Sequence, residues 1–219
     1  MQAAGFNQNG NYLTVQLKQH QNFGPSQIRL QVVSDKIIRV QATAEQSFRN
    51  KQSLIIVPQN SKANYKVEEQ GDNLIITTAA MRAVMNEATG QITFYDLKDN
   101  VLLNEVAQGG KTFKPFTVPD REIGVDIAKV PEAQKHGWSW RALFNSPDNE
   151  AFYGLGQHQS EELNMKGKNE DLFQYNTKVS VPFVISNKNY GILWDSYSYC
   201  RWGNPEDYLQ LNRAFKLYD

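Results

Sequence analysis

The stretch Ile28-Arg29-Leu30-Gln31-Val32-Val33-Ser34-Asp35-Lys36-Ile37-Ile38-Arg39-Val40-Gln41-Ala42 decides the fold. Ile28, Leu30 and Val32 alternate with Arg29 and Gln31, and Ile38, Val40 and Ala42 alternate again after Ser34-Asp35-Lys36. Side chains on a strand point to opposite faces in turn, so this spacing gives one dry and one wet face. The Ser-Asp-Lys break reads as a hairpin connection. The design recurs along the chain. Tyr65 to Glu68 and Leu74 to Thr78 flank Gly71-Asp72-Asn73, and Ala83-Val84-Met85 and Ile92 to Tyr95 flank Asn86 to Gly90. Lys98-Asp99-Asn100 makes a further turn before Val101-Leu102-Leu103. Short β-rich runs with a turn every ~8–12 positions predict an all-β fold, a mainly antiparallel β-sandwich. Helix signals are poor: Glu161 to Lys168 has room for one turn, and Gly167 argues against more. The least regular stretch, 109–137, carries Pro115, Pro119 and Pro131 and reads as a long connection or a sheet edge, where proline is tolerated.

At 219 residues the chain can form a single sandwich domain spanning 1–219. Its 40% apolar and 21% charged content places it among globular chains rather than disordered ones. Lys plus Arg and Asp plus Glu both number 23, so no net field recruits nucleic acid or anionic lipid; a neutral ligand fits better. Cys200 is the sole cysteine, which excludes an intrachain disulfide and any Cys-x-x-Cys motif. Apolar runs such as Leu54-Ile55-Ile56-Val57 fall far short of the ~20 residues of a membrane-spanning helix. The first twenty residues lack the basic-then-apolar pattern of a secretory signal.

The usual chemical motifs are missing. His20, His136 and His158 stand far apart and form no metal-ligand spacing, so each reads as a surface or internally satisfied histidine. There is no Gly-x-Ser-x-Gly nucleophile elbow. Gly154-Leu155-Gly156 begins like a dinucleotide loop, but Gln159 stands where its third glycine belongs. Glycoside hydrolysis needs two carboxylates across the scissile bond. Asp96, Asp99, Asp120, Asp126, Asp148, Glu161, Glu162, Asp171, Asp195 and Asp207 are available, and turn or surface roles suit each of them better. No residue here is assigned as catalytic or metal-binding, and no cofactor is called for.

One ordered set of blocks is more specific. It runs Glu150-Ala151-Phe152-Tyr153-Gly154-Leu155-Gly156-Gln157, Lys166-Gly167-Lys168, Phe173-Gln174-Tyr175-Asn176-Thr177, Val181-Pro182-Phe183-Val184-Ile185-Ser186 and Tyr190-Gly191-Ile192-Leu193-Trp194-Asp195. This succession resembles the end of the N-terminal domain of family 31 glycoside hydrolases, the α-glucosidases and α-xylosidases. The wording from Gln174 to Phe183 is similar to bacterial α-xylosidase-like members. The resemblance implies a supersandwich of the galactose-mutarotase type, packed beside a (β/α)8 barrel that supplies an aspartate nucleophile and an aspartate acid/base. That barrel is expected after Asp219, because nothing here has the βαβ rhythm of one. In some relatives a PA14-type module interrupts the N-terminal sandwich, which would suit a break near Asp219.

The resemblance further implies that the segment 173–177 reaches the barrel mouth. Asn176, with Gln174, is then expected to line the pocket for an α-linked oligosaccharide. Asn176 stands where many α-glucosidases carry aspartate; an amide keeps a donor and an acceptor for sugar hydroxyls but no charge. A turn-capping role for Asn176 is the competing reading. Gly154 and Gly156 are expected to permit special backbone angles or close packing. Phe152, Tyr153, Phe183, Tyr190 and Trp194 read as core or interface aromatics, Pro182 as the start of a strand, and Asp195 as a turn cap. Two other readings stand beside this one. A free carbohydrate-binding module would use Trp138, Trp140, Tyr197, Tyr199 and Trp202 as sugar platforms, and a mutarotase-like enzyme would need a general acid and base. The residues themselves leave the compartment open; periplasm or cell surface follows from family analogy alone.

Overall fold

The computed structural model describes residues 5–17, 23–49, 52–57, 63–108, 110–117, 127–129, 132, 136–159, 161–174, 176–203 and 208–212. Seventeen strands and a 3-10 turn at Ile127–Lys129 account for the regular structure of these residues. The chain divides into two compact units, one of residues 1–112 with 143–146, the other of 113–142 with 147–219. None of its described helices is long and apolar enough to cross a membrane.

In the first unit β1 (Phe6–Asn9), β2 (Tyr12–Gln16), β3 (Gln27–Ser34) and β4 (Ile37–Thr43) form an antiparallel sheet in that order. The opening stretch of the sequence is the β3–β4 hairpin, with Leu30 opposite Val40. A second antiparallel run follows in chain order: β5 (Tyr65–Gln70), β6 (Asn73–Thr78), β7 (Arg82–Asn86), β8 (Ile92–Tyr95) and β9 (Val101–Glu105). Leu13, Val15, Ile28, Leu30 and Val32 from the first sheet meet Leu74, Ile76, Ala83, Met85 and Ile92 from the second in one dry core. Each of these side chains larger than alanine contributes roughly 1.5–3 kcal/mol on burial. Two sheets closed face to face over a common core are a β-sandwich, as the alternation predicts.

The turns are chemically specified. Asp96 Oδ1 accepts hydrogen bonds from the backbone N–H groups of Lys98 (2.8 Å) and Asn100 (2.9 Å), and Oδ2 accepts from Asn100 Nδ2 (2.8 Å). Led by the bond from the Asn100 side chain, these contacts hold the Asp96 carboxyl below its ordinary pKa. The first unit also contains a buried ion pair. Glu105, at the end of β9, meets the Lys111 ammonium and accepts from the N–H of Ile92 (2.8 Å), while Lys111 also donates to the carbonyl of Gly90 (3.0 Å).

The second unit contains β10 (Lys111–Thr117) from Phe113 onward, and β11 (His136–Asn145) as far as Ala142. Pro115 lies in β10, whose one paired neighbour among the described strands is β11. The edge reading of that proline therefore holds, whereas Pro119 and Pro131 lie outside the described residues. β12 (Phe152–Gln157), β14 (Val179–Ser186) and β15 (Tyr190–Leu193) form a three-stranded antiparallel sheet with β14 in the middle. β13 (Glu170–Leu172), β16 (Cys200–Gly203) and β17 (Tyr208–Asn212) pair side by side. The core of this unit is aromatic. Trp202 is fully buried, edge-on to Phe152 (5.3 Å between centroids) and stacked on Trp194 (6.2 Å), and its indole N–H donates to the carbonyl of Met165 (3.1 Å). Cys200 is buried beside them, its sulfur 3.2 Å from both Ser196 Oγ and the carbonyl of Ser198.

Pro182 does not begin a strand; it is the fourth residue of central β14. Its carbonyl accepts from the N–H of Trp194 (3.1 Å), just past the end of β15. In an antiparallel pair a residue's N–H and C=O face the same neighbour, so the ladder bond that proline forfeits would have been the last one on that side. The cost falls at the end of the β14–β15 ladder.

Candidate functional site

The motif blocks between Glu150 and Asp195 converge on β12, β14 and the connection between β13 and β14. β12 carries a bulge: Gly154 pairs with Val184, but Gly156 pairs with Ser180, so Leu155 alone stands opposite three residues of β14. Gly154 (φ +133°) and Gly156 (φ +100°) have backbone angles that side chains rarely adopt. A Cβ on Gly156 would sit 2.0 Å from the carbonyl oxygen of Val179. Both expectations for these glycines, special angles and close packing, are met. Leu155 between them is also left-handed (φ 68°) and fully buried. Such a backbone costs a leucine about 1–2 kcal/mol and persists only where the surroundings hold it.

The bulge feeds a buried polar cluster. The carbonyl of Leu155 lies 2.8 Å from His158 Nε2, and His158 Nδ1 lies 2.9 Å from Glu170 Oε1. The Lys178 ammonium meets that same Glu170 oxygen and donates to the carbonyl of Asp171 (2.5 Å). The side chains of His158 and Lys178 are only 6% and 7% exposed, so this is an interior polar cluster, not a solvated face. A second cluster lies under the β14–β15 hairpin. Glu150, buried, accepts from the hydroxyls of Ser186 and Tyr190 through Oε1, each at 2.6 Å. Burial first, and then the bond to Glu150, push the Tyr190 phenol far above the ordinary tyrosine pKa.

The segment singled out for sugar contact, 173–177, lies in the connection between β13 and β14. Gln174 and Asn176 are both exposed on it. Gln174 uses its side-chain oxygen to accept from the backbone N–H of Ser180 (3.1 Å), and Ser180 Oγ donates to the carbonyl of Phe173 (3.1 Å). The Phe173 ring lies against Tyr199 (5.8 Å between centroids). Tyr199 in turn donates to Asp171 Oδ1 (2.6 Å), which also accepts from Arg201 Nε (2.8 Å).

Several of the available acids have structural duties, while Asp148 and Glu161 are exposed. Asp99 pairs with Arg82 (2.9 Å), Glu162 with Lys168 (2.7 Å) and Asp195 accepts from the Tyr197 hydroxyl (2.9 Å). Asp120, Asp126 and Asp207 lie outside the described residues, as does His20. His136 is exposed beside Glu132 (3.1 Å). Among the candidate platform aromatics Trp202 is corrected: it is the centre of a core and no ligand can stack on it. Phe152 and Trp194 are core residues as read, whereas Tyr153 and Phe183 are exposed, at 44% and 37%.

A further feature escaped sequence reading. Along β14, Val179, Val181, Phe183 and Ile185 are all exposed, while the alternate residues Val184 and Ser186 are buried. Leu193 of β15 pairs with Phe183, and Tyr153 of β12 pairs with Ile185, and both are exposed too. The outer face of this sheet is a continuous apolar surface.

Comparison with known proteins gives these motifs a lineage. The family model described as glycosyl hydrolase 31 N-terminal galactose mutarotase-like domain matches residues 27–202. The chain is 26% identical over 178 residues to an uncharacterized family 31 glucosidase, ORF2, of Pseudescherichia vulneris, covering 77% of this chain and 32% of that protein. It is 25% identical over 176 residues to an alpha-xylosidase of Saccharolobus solfataricus, covering 80% of this chain and 23% of that one. The crystal structure of the GH31 alpha-xylosidase from Xanthomonas citri superposes with a TM-score of 0.76 at 36% identity, covering 91% of this chain and 20% of that chain. The chain thus spans 32% or less of the length of each of these relatives. With the matched segment running from β3 into β16, the chain belongs to the family of glycosyl hydrolase 31 N-terminal galactose mutarotase-like domains.

Proposed function

We propose that residues 1–219 serve as one accessory N-terminal domain of a longer retaining α-glycoside hydrolase of the α-glucosidase or α-xylosidase type. In this reading the domain docks on a catalytic (β/α)8 barrel elsewhere in the protein, and the barrel supplies the nucleophile and acid/base. The 173–177 segment reaches the substrate pocket and presents Asn176, with Gln174, to an α-linked oligosaccharide. Alone, the domain hydrolyses nothing, because it contributes no catalytic carboxylate.

The apolar outer face of the β12–β14–β15 sheet carries the proposal. A contiguous exposed apolar surface of this kind marks a protein interface. The relatives' greater length supports a further domain as the cover.

The test uses the full-length protein and two sets of substitutions. Val181→Asp with Ile185→Asp leaves the stability of the isolated 219-residue chain within about 0.5 kcal/mol, because both side chains are exposed there. The same pair in the full-length protein lowers its stability and its activity on aryl α-xylosides and α-glucosides. Full-length protein indifferent to both charges would remove the docking face. Asn176→Ala lowers kcat/KM about tenfold, corresponding to the ~1.4 kcal/mol of one sugar hydrogen bond. Unchanged kcat/KM in that variant would dismiss the pocket role.

A further inference from the structure

The connection between β13 and β14 is six residues long, 173–178, and its two ends are tied together by charge. Lys178, the last of the six, turns inward and is 7% exposed. Its ammonium meets the carboxylate of Glu170 and the carbonyl of Asp171, both in β13. The third member, His158, arrives from the end of β12 and places Nδ1 2.9 Å from the same carboxylate oxygen. Its other ring nitrogen faces the carbonyl of the left-handed Leu155 (2.8 Å). The neck of the loop is therefore held at two points on β13, with His158 packed against the same Glu170 carboxylate.

Removing a lysine from water is expensive, and an apolar residue of similar volume commonly serves stability as well or better. What the buried trio adds is geometric definition. The contacts of Lys178 with Glu170 and Asp171 form with the loop's ends drawn together. That geometry also brings Ser180 under Gln174 and Phe173, where its N–H and hydroxyl close two further bonds across the loop. Above this neck Asn176 is exposed. A binding loop ordered before ligand arrives need not be ordered at the expense of binding free energy.

We propose that Lys178, with Glu170 and His158, is a positioning clamp that holds the 173–177 loop in its ligand-ready shape, an inference that rests on the reading of that loop as a sugar-contacting one. None of the three is a catalytic residue; they act through the loop.

The experiment compares Lys178→Met, Lys178→Arg, Glu170→Gln and Asn176→Ala in the full-length protein. Two readouts are needed: amide hydrogen exchange across 172–180, and steady-state kinetics on aryl α-xylosides and α-glucosides. Lys178→Met speeds exchange at the Ser180 amide by about tenfold or more, while the amides of β3 and β6 keep their protection. It raises KM more than it lowers kcat, and Lys178→Arg restores most of both, since the charge remains. Unaltered Ser180 exchange and unaltered KM in Lys178→Met overturn the clamp. Should that variant fail to fold, Glu170→Gln, which keeps shape and removes charge, replaces it: faster Ser180 exchange with raised KM supports the clamp, and no change in either overturns it. Loss of turnover in Asn176→Ala without any change in Lys178→Met leaves the loop reading standing and removes the clamp. Faster Ser180 exchange in Lys178→Met with normal turnover in Asn176→Ala keeps the clamp and removes the loop's role in sugar contact.

Discussion

Gly156 is the residue on which the local backbone depends most. Its left-handed angle and its approach to the carbonyl of Val179 leave no space for a single methyl group. Gly156→Ala therefore must push β12 away from β14, and we expect a loss of about 2 kcal/mol or more in urea denaturation. An alanine variant as stable as the parent would show that the two strands separate at little cost. Gly167 offers the contrast: its positive φ (+73°) is similar, but no atom lies within 4 Å of the added carbon, so alanine there meets only the backbone penalty. Residue-level reading of the sequence reached both glycines of β12, because few other reasons put two of them around a leucine in a strand. It could not reach Lys178. A lysine beside Thr177 looks like any surface lysine until the fold shows its ammonium buried on Glu170.

At the scale of elements, alternation was a sufficient guide wherever one face of a strand is wet. The β3–β4 and β5–β6 hairpins and the β7–β8 pair follow directly from it, with the turns within a residue of where the sequence puts them. It misled at β14, where the apolar alternate residues Val179, Val181, Phe183 and Ile185 are the exposed ones and Ser186 is buried; only the order of motif blocks marked that strand. It failed also for Trp202, since an aromatic in a short polar stretch gives no sign that it lies in a core. Asn176 and Gln174 were legible solely through family resemblance, as an exposed amide on a loop has no physical signature of its own. The β14–β15 hairpin supplies an element-level prediction through Tyr190, whose phenol is buried against Glu150. Ordinary tyrosines lose their protons near pH 10, and Tyr190 does not join them. In alkaline difference spectra at 295 nm, the parent and Tyr190→Phe release equal phenolate up to about pH 12 while the fold persists. Because its folded pKa is raised, the protonated phenol contributes stability that is complete below about pH 10 and is lost as pH climbs further. A parent that titrates one phenol more than the variant in the ordinary range would place Tyr190 in water.

The Glu105–Lys111 pair contributes a pH-dependent part of the stability of the molecule. Burial pushes the Glu105 carboxyl above its ordinary pKa, while Lys111 and the N–H of Ile92 pull the other way. A carboxyl raised in the folded state favours folding most strongly below its unfolded pKa, and the benefit fades as pH rises through the folded value. Lys111→Met removes the opposing cation, so the loss is small near pH 4 and grows to about 3 kcal/mol by neutral pH. Urea titrations at acid and neutral pH test this, and a loss independent of pH would mean that Lys111 matters only as packing. The second unit contains a different resource. The thiol of Cys200, the only one in the chain, is 3% exposed, and burial holds its pKa up, so it exists as neither an accessible nor an ionised nucleophile in the native fold. Alkylation at that sulfur has to wait for β16 to detach. Its rate is thus a clock for local opening, built into the protein and readable without engineering a label into the chain.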